Sequence, residues 1–182
     1  MVPEYVKGLP FHALIVHATV VLLPLTALAL VLAAFSSSIR VRMGIVLPLA
    51  GVVSLVLVPI TINSGQQYRA TLEGRGLRNP TLNRHADLAG QVLPWTIGLA
   101  LMTIVVYALV VIGRRLAPRA AGTSAPVTQP GRTRGAALAG RSAVSITVAV
   151  LSVAVAVGLV ATVVAVGHLG ATTVYGTGTG TG

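Results

Sequence analysis

Four long apolar runs, separated by polar stretches, dominate the chain. They extend from about Phe11 to Phe35, Met43 to Ile62, Leu88 to Ile112 and Ala143 to Leu169, and none holds Asp, Glu, Lys or Arg. Each meets or exceeds the roughly 20 residues needed to cross a hydrocarbon core. Backbone groups inside that core must be satisfied within the segment, so every run is expected to be helical, including the Val-rich stretch Val144–Val166. The runs have the wrong length for strands of a membrane barrel. The pattern therefore predicts an all-α integral membrane protein. Its four-transmembrane-helix bundle forms a single membrane domain over residues 1–182.

The connections differ in character. Ser36 to Arg42 reads as a tight link and Asn63 to Asp87 as a longer polar loop. In that loop Asn79-Pro80 signals the start of a short helix leading into the third span. Arg114 to Ser142 is rich in Arg, Pro, Gly, Thr and Ala, and its part from about 117 to 140 reads as a flexible, disordered basic linker between helices three and four. The Gly-Thr repeat at 176–182 reads as a flexible tail. A cleaved signal peptide is not indicated. Lys7 is balanced by Glu4, and no A-x-A site follows the first run.

Composition supports the bilayer. Of 182 residues 54% are hydrophobic and 9% charged, with a mean hydropathy of +0.88. Soluble domains carry about 25% charged residues. The net charge of +10 comes from 12 Arg and 1 Lys against 3 acids. These cations sit between apolar runs, where they set topology and meet anionic headgroups, and no aromatic-laced basic stripe suggests nucleic acid. The chain has no cysteine, which excludes disulfides, thiolate metal sites and cysteine-held iron–sulfur clusters. Eight cations (Arg40, Arg42, Arg114, Arg115, Arg119, Arg132, Arg134, Arg141) flank one side, and five (Lys7, Arg69, Arg75, Arg78, Arg84) flank the other. The richer side belongs in the cytoplasm, so both termini of this multi-pass protein are expected to be extracytoplasmic.

With four spans, His12, His17, His85 and His168 all fall at one membrane face. His17 lies about 10 Å below the start of the first helix. Polar groups at that depth tend to face the bundle interior, and His17 shares a face with Pro24. His12 and His17 are about 140° apart around a helix, so the two do not converge on one small ligand unless His12 precedes the regular helix. Imidazoles without thiolates or a carboxylate cluster suit haem iron or copper better than calcium or magnesium. Such cofactors sit between facing helices of a bundle. The expected site is a b-type haem with metal ligands drawn from these four histidines. His17 and His168 are the first choice of axial pair, and His12 and His85 the second. Arg69 or Arg84 would meet the propionates. The bland alternative is that interfacial histidines bond helix ends or water.

Other features read as structural. Trp95, Tyr5, Tyr68, Tyr107 and Tyr175 suit interfacial anchoring, with Trp95 and Tyr107 inside the third span. Ala154, Gly158 and Thr162 form a small-residue ridge for helix contact. Pro24, Pro48, Pro59 and Pro94 kink helices or shape their ends. Asp87 is placed to partner His85 or Arg84. The spans hold few polar groups through the midplane, with Thr26, Ser54, Thr96, Thr103 and Ser152 as weak candidates. With no charged residue there, a proton-coupled pump is disfavoured. No phosphate-binding loop, catalytic triad or HExxH motif occurs.

The segment Gly8-Leu9-Pro10-Phe11-His12 through Val16-His17 resembles the opening G-L-P-x-H-P-x-x-V-H of the domain of unknown function 2231, a family of bacterial membrane proteins. His85-Ala86-Asp87-Leu88-Ala89-Gly90, then Leu93-Pro94-Trp95, resembles the third-helix start of its actinobacterial-type members. Gly167-His168-Leu169-Gly170, then Val174-Tyr175, resembles its closing motif. Two positions depart from that pattern. Ala13 stands where the family has Pro, and Thr177 stands where many members carry a further histidine. The resemblance implies four helices, a cytoplasmic-membrane home and a redox neighbourhood, because similar domains are fused to Rieske or cytochrome c modules. The resulting expectation is an electron-transfer or accessory subunit rather than a stand-alone enzyme, working between quinone or a redox complex and a redox partner. The alternatives are a non-redox assembly subunit of a homo-oligomer or larger membrane complex, and a small transporter or metal-handling protein.

Overall fold

The computed structural model of the chain describes residues 5–6, 8–76, 80–116 and 133–175. Arg78, Asn79, the linker residues 117–132 and the tail 176–182 lie outside the described residues, as do the side chains of Tyr5, Arg114, Arg134, Arg141 and Tyr175.

The chain opens with a two-residue antiparallel ladder, β1 (Tyr5–Val6) against β2 (Leu9–Pro10). Among the described residues six helices follow: α1 (Phe11–Phe35), α2 (Ser37–Met43), α3 (Val46–Gly74), α4 (Pro80–Gly90), α5 (Val92–Leu116) and α6 (Thr133–Tyr175). Four stretches within them are long and apolar enough to cross a membrane: Phe11–Phe35, Val46–Gly74, Pro80–Gly113 and Ala143–Thr172. The chain is a multi-pass, all-helical membrane protein. α1 packs against α3 and α6, α3 against α5 and α5 against α6, which closes a four-helix bundle.

Several boundaries differ from the hydropathy pattern. The second span does not end at Ile62, because α3 continues through the expected polar loop to Gly74. A helix need not stop where it leaves lipid. Gln66, Gln67, Arg69, Ala70 and Glu73 are sound helix formers, and Arg69 Nε donates to Glu73 Oε1 at 2.8 Å one turn on. α3 ends where Gly76 takes φ +81° and its N–H bonds Glu73 O. The link 36–42 is not a loop but largely the helix α2. Ser36 Oγ caps it by accepting from Ile39 N, and Gly44 at φ +45° ends it. Arg40 folds back and donates from Nε and Nη2 to the last carbonyls of α1, Ala33 O and Ala34 O, both at 2.7 Å. Pro80 starts the expected lead-in helix, α4. Pro94 falls in the first turn of α5, where no N–H is required, so the chain breaks at Gln91 without losing a bond. α6 begins at Thr133, so helix covers the last part of the stretch read as linker.

Packing follows membrane rules. Large apolar side chains such as Val21, Leu25, Phe35, Val157 and Val164 face outward, where lipid is as apolar as they are. The interior combines Leu23, Leu30, Leu99 and Leu159 with close approaches at small residues. A Cβ at Gly51 would collide with Thr103 Oγ1, and one at Gly158 would collide with the Trp95 ring. Gly158 thus makes the expected helix contact, with Trp95 wedged between α5 and α6. Between α1 and α3, Thr19 Oγ1 and Thr61 Oγ1 lie 2.7 Å apart, an interhelical hydrogen bond close below the histidine end.

Candidate functional site

Helical phase divides the four histidines. On α1 the buried stripe is Thr19, Leu23, Thr26 and Leu30, and stepping back seven residues from Thr19 reaches His12. His12 is therefore half-buried on the inward face. His17, about 140° away, is exposed together with Val21 and Leu25. The inward reading of His17 is corrected: it shares a face with Pro24, but that face does not look into the bundle. Its Nδ1–H is taken by Ala13 O of its own helix. His168 on α6 is also exposed, so the first-choice axial pair does not point into a common interior space.

The second pair is turned inward. His12 on α1 and His85 on α4 are both half-buried. His12 Nδ1 lies 3.0 Å from Ser64 Oγ, which itself lies 2.8 Å from Thr61 O. His85 Nδ1 lies 3.0 Å from Val166 O, and a carbonyl only accepts, so Nδ1 carries the proton there and the neutral ring holds its lone pair on Nε2. Each ring is also seated on a glycine. A Cβ at Gly65 would lie 2.8 Å from His12 Cε1, and one at Gly170 would lie 3.2 Å from His85 Cε1. Tyr68 stacks on His12 with ring centroids 6.3 Å apart and planes 18° from parallel. Four helices thus position two imidazoles: α1 and α4 carry them, and α3 and α6 orient them.

Beside the pair lies a polar cleft of about 270 Å³ lined by Gln66, Arg69, Ala70, Glu73, Ala86 and Asp87. Its α3 wall begins directly after Gly65, and its α4 wall is the two residues after His85. The extension of α3 beyond the apolar run builds this cleft, so no loop reading of 63–87 would have revealed it. Arg69 belongs to it, held by Glu73. Arg84 is exposed and does not line it. Asp87 lies on the cleft and forms no ion pair among the described residues.

Among the described residues no three metal-ligating side chains converge. A donor set of two imidazoles holds a bare ion poorly. The cleft is smaller than most ligand sites. The five hydroxyls Thr26, Ser54, Thr96, Thr103 and Ser152 are all buried, and all but Thr26 bond carbonyls of their own helices. Ser64 and Gly65 escaped sequence reasoning, and Tyr68 and Gly170 were read only as an anchor and as part of a motif. Their only signal was spacing, since Ser64, Gly65 and Tyr68 recur on one helical face. No family model matches the chain, and no curated protein and no solved structure is significantly similar to it.

Proposed function

We propose that the protein is a membrane redox subunit that holds a b-type haem through His12 and His85 at the histidine end of the bundle. It would pass electrons between quinone or a redox complex and an extracytoplasmic partner. The observation that carries this reading is that both rings are held through Nδ1 by a neighbouring helix, His12 by Ser64 of α3 and His85 by Val166 O of α6. Iron-ligating histidines are oriented by the same kind of outer bond. When bound, haem supplies one-electron transfer. The chain's own residues do the rest. Ser64 and Val166 O fix the ring planes, and Gly65 and Gly170 admit the rings. Arg69 presents N–H donors to carboxylates at the cleft.

The test is an absorption spectrum with iron analysis on protein purified from haem-replete cells. A Soret band is expected, lost in His12→Ala and in His85→Ala and kept in His17→Ala and His168→Ala. A colourless, iron-free preparation sinks the redox reading. An assembly role has its own support in the outward-facing His17 and His168, polar groups suited to covering by another subunit. Co-purification of another membrane protein at fixed stoichiometry, without pigment, would favour it.

A further inference from the structure

Four buried hydroxyls from four helices share one depth. Measured from the Arg40 end of each span (Phe35, Val46, Gly113 and Ala143), Thr26, Ser54, Thr103 and Ser152 all lie about 12–15 Å in, at 1.5 Å per residue. Thr26 is 2% exposed and the other three 0%, so all four face the interior as one layer near the bundle centre. Three of them are satisfied as donors: Ser54 Oγ to Ala50 O at 2.8 Å, Thr103 Oγ1 to Ala100 O at 2.7 Å and Ser152 Oγ to Val148 O at 2.7 Å. Each of these oxygens keeps lone pairs that accept. Thr26 is the exception. Its Oγ1 is buried and lacks any hydrogen-bond partner, two residues after Pro24 interrupts the ladder of α1.

A lone buried hydroxyl at the same depth as three buried acceptor oxygens in a low-dielectric interior calls for a small ligand that both accepts and donates. A metal cation fails this requirement. Its charge would be stripped of water with no carboxylate in the apolar part of any span to offset it. A neutral molecule with two donors and two acceptors satisfies it, and a buried water needs only two to four such partners. We propose that this layer is a hydration site. One water accepts from Thr26 Oγ1 and donates to the hydroxyl oxygens of Ser54, Thr103 or Ser152, tying α1 to the opposite helices at the point where Pro24 weakens it. The proposal does not rest on the histidine site.

Two measurements on the whole protein test it. In bilayers, magnetic-resonance transfer from water should reach the Thr26 methyl group despite its burial. In detergent melts Thr26→Val, an isosteric change, should lower Tm by about 2–4 °C. Thr26→Ser, which keeps the hydroxyl, should melt near the wild type. At least one of Ser54→Ala, Thr103→Val and Ser152→Ala should be non-additive with Thr26→Val, since partners in one network couple. Absence of water transfer, an unchanged or raised Tm for Thr26→Val, or full additivity with all three would each overturn the proposal.

Discussion

The two histidine pairs sit at the same end of the same bundle and differ in almost every physical respect. His12 and His85 are half-buried, bonded through Nδ1 to neighbouring helices and seated on Gly65 and Gly170. His17 and His168 are exposed, and the one bond of His17 is to its own helix. Depth along the membrane normal does not separate the pairs. Rotation about the helix axis does. A step of five residues turns a side chain by about 140°, enough to carry an imidazole from the bundle interior to its outer face. A metal ligand needs a second element to fix its ring, and only the inner pair has one.

The sharpest way to break this contrast is to remove the imidazoles singly. His12→Ala or His85→Ala should abolish bound haem, while His17→Ala and His168→Ala should leave it within about twofold, a smaller effect than loss of an orienting contact. Loss of pigment in the outer variants alone would reverse the assignment. Gly65→Ala comes next. Its new Cβ meets the His12 ring at 2.8 Å, and overpacking of this kind costs about 1–3 kcal/mol, read as a drop in melting temperature and in haem content. An unchanged protein would mean that His12 swings aside freely and that the glycine is not its seat. Ser64→Ala should cost about 1 kcal/mol of stability by leaving His12 Nδ1 without its partner. It should also weaken haem binding about tenfold, measured by titration of apoprotein. The smallest effect belongs to Arg69→Gln. The Arg69–Glu73 pair is partly exposed, at 33% and 37%, so thermal stability should fall by no more than about 0.5 kcal/mol. A larger shift in haem titration than in stability would place Arg69 on the ligand.

Much of the scaffold was legible and less of the site was. The absence of charge in four apolar runs dictates spans, and Asn79-Pro80 marks the start of α4. Hydropathy marks where a helix leaves lipid, not where it ends, so the twelve residues of α3 beyond Ile62 were hidden although their helix-forming composition was in view. The inward face of α1 was nearly readable as well. Thr19 and Thr26 are hydroxyls in an apolar run, and such groups turn inward in lipid. Their phase selects His12 over His17, whereas depth and the position of Pro24 suggested the reverse. Nothing in the local sequence of α6 ties Val166 O to His85, a contact between residues 81 positions apart.

The sequence by itself determined four spans, their even count and the gathering of all four histidines at one end. Each of these follows from the cost of burying charge and unpaired backbone in hydrocarbon, which acts on each segment separately. Tertiary structure alone decided which histidines turn inward and are held by a neighbouring helix. Ring orientation depends on what the neighbouring helix presents at that height: a serine oxygen, a carbonyl, or a glycine that leaves room. Those are properties of packed pairs of helices and belong to no single segment.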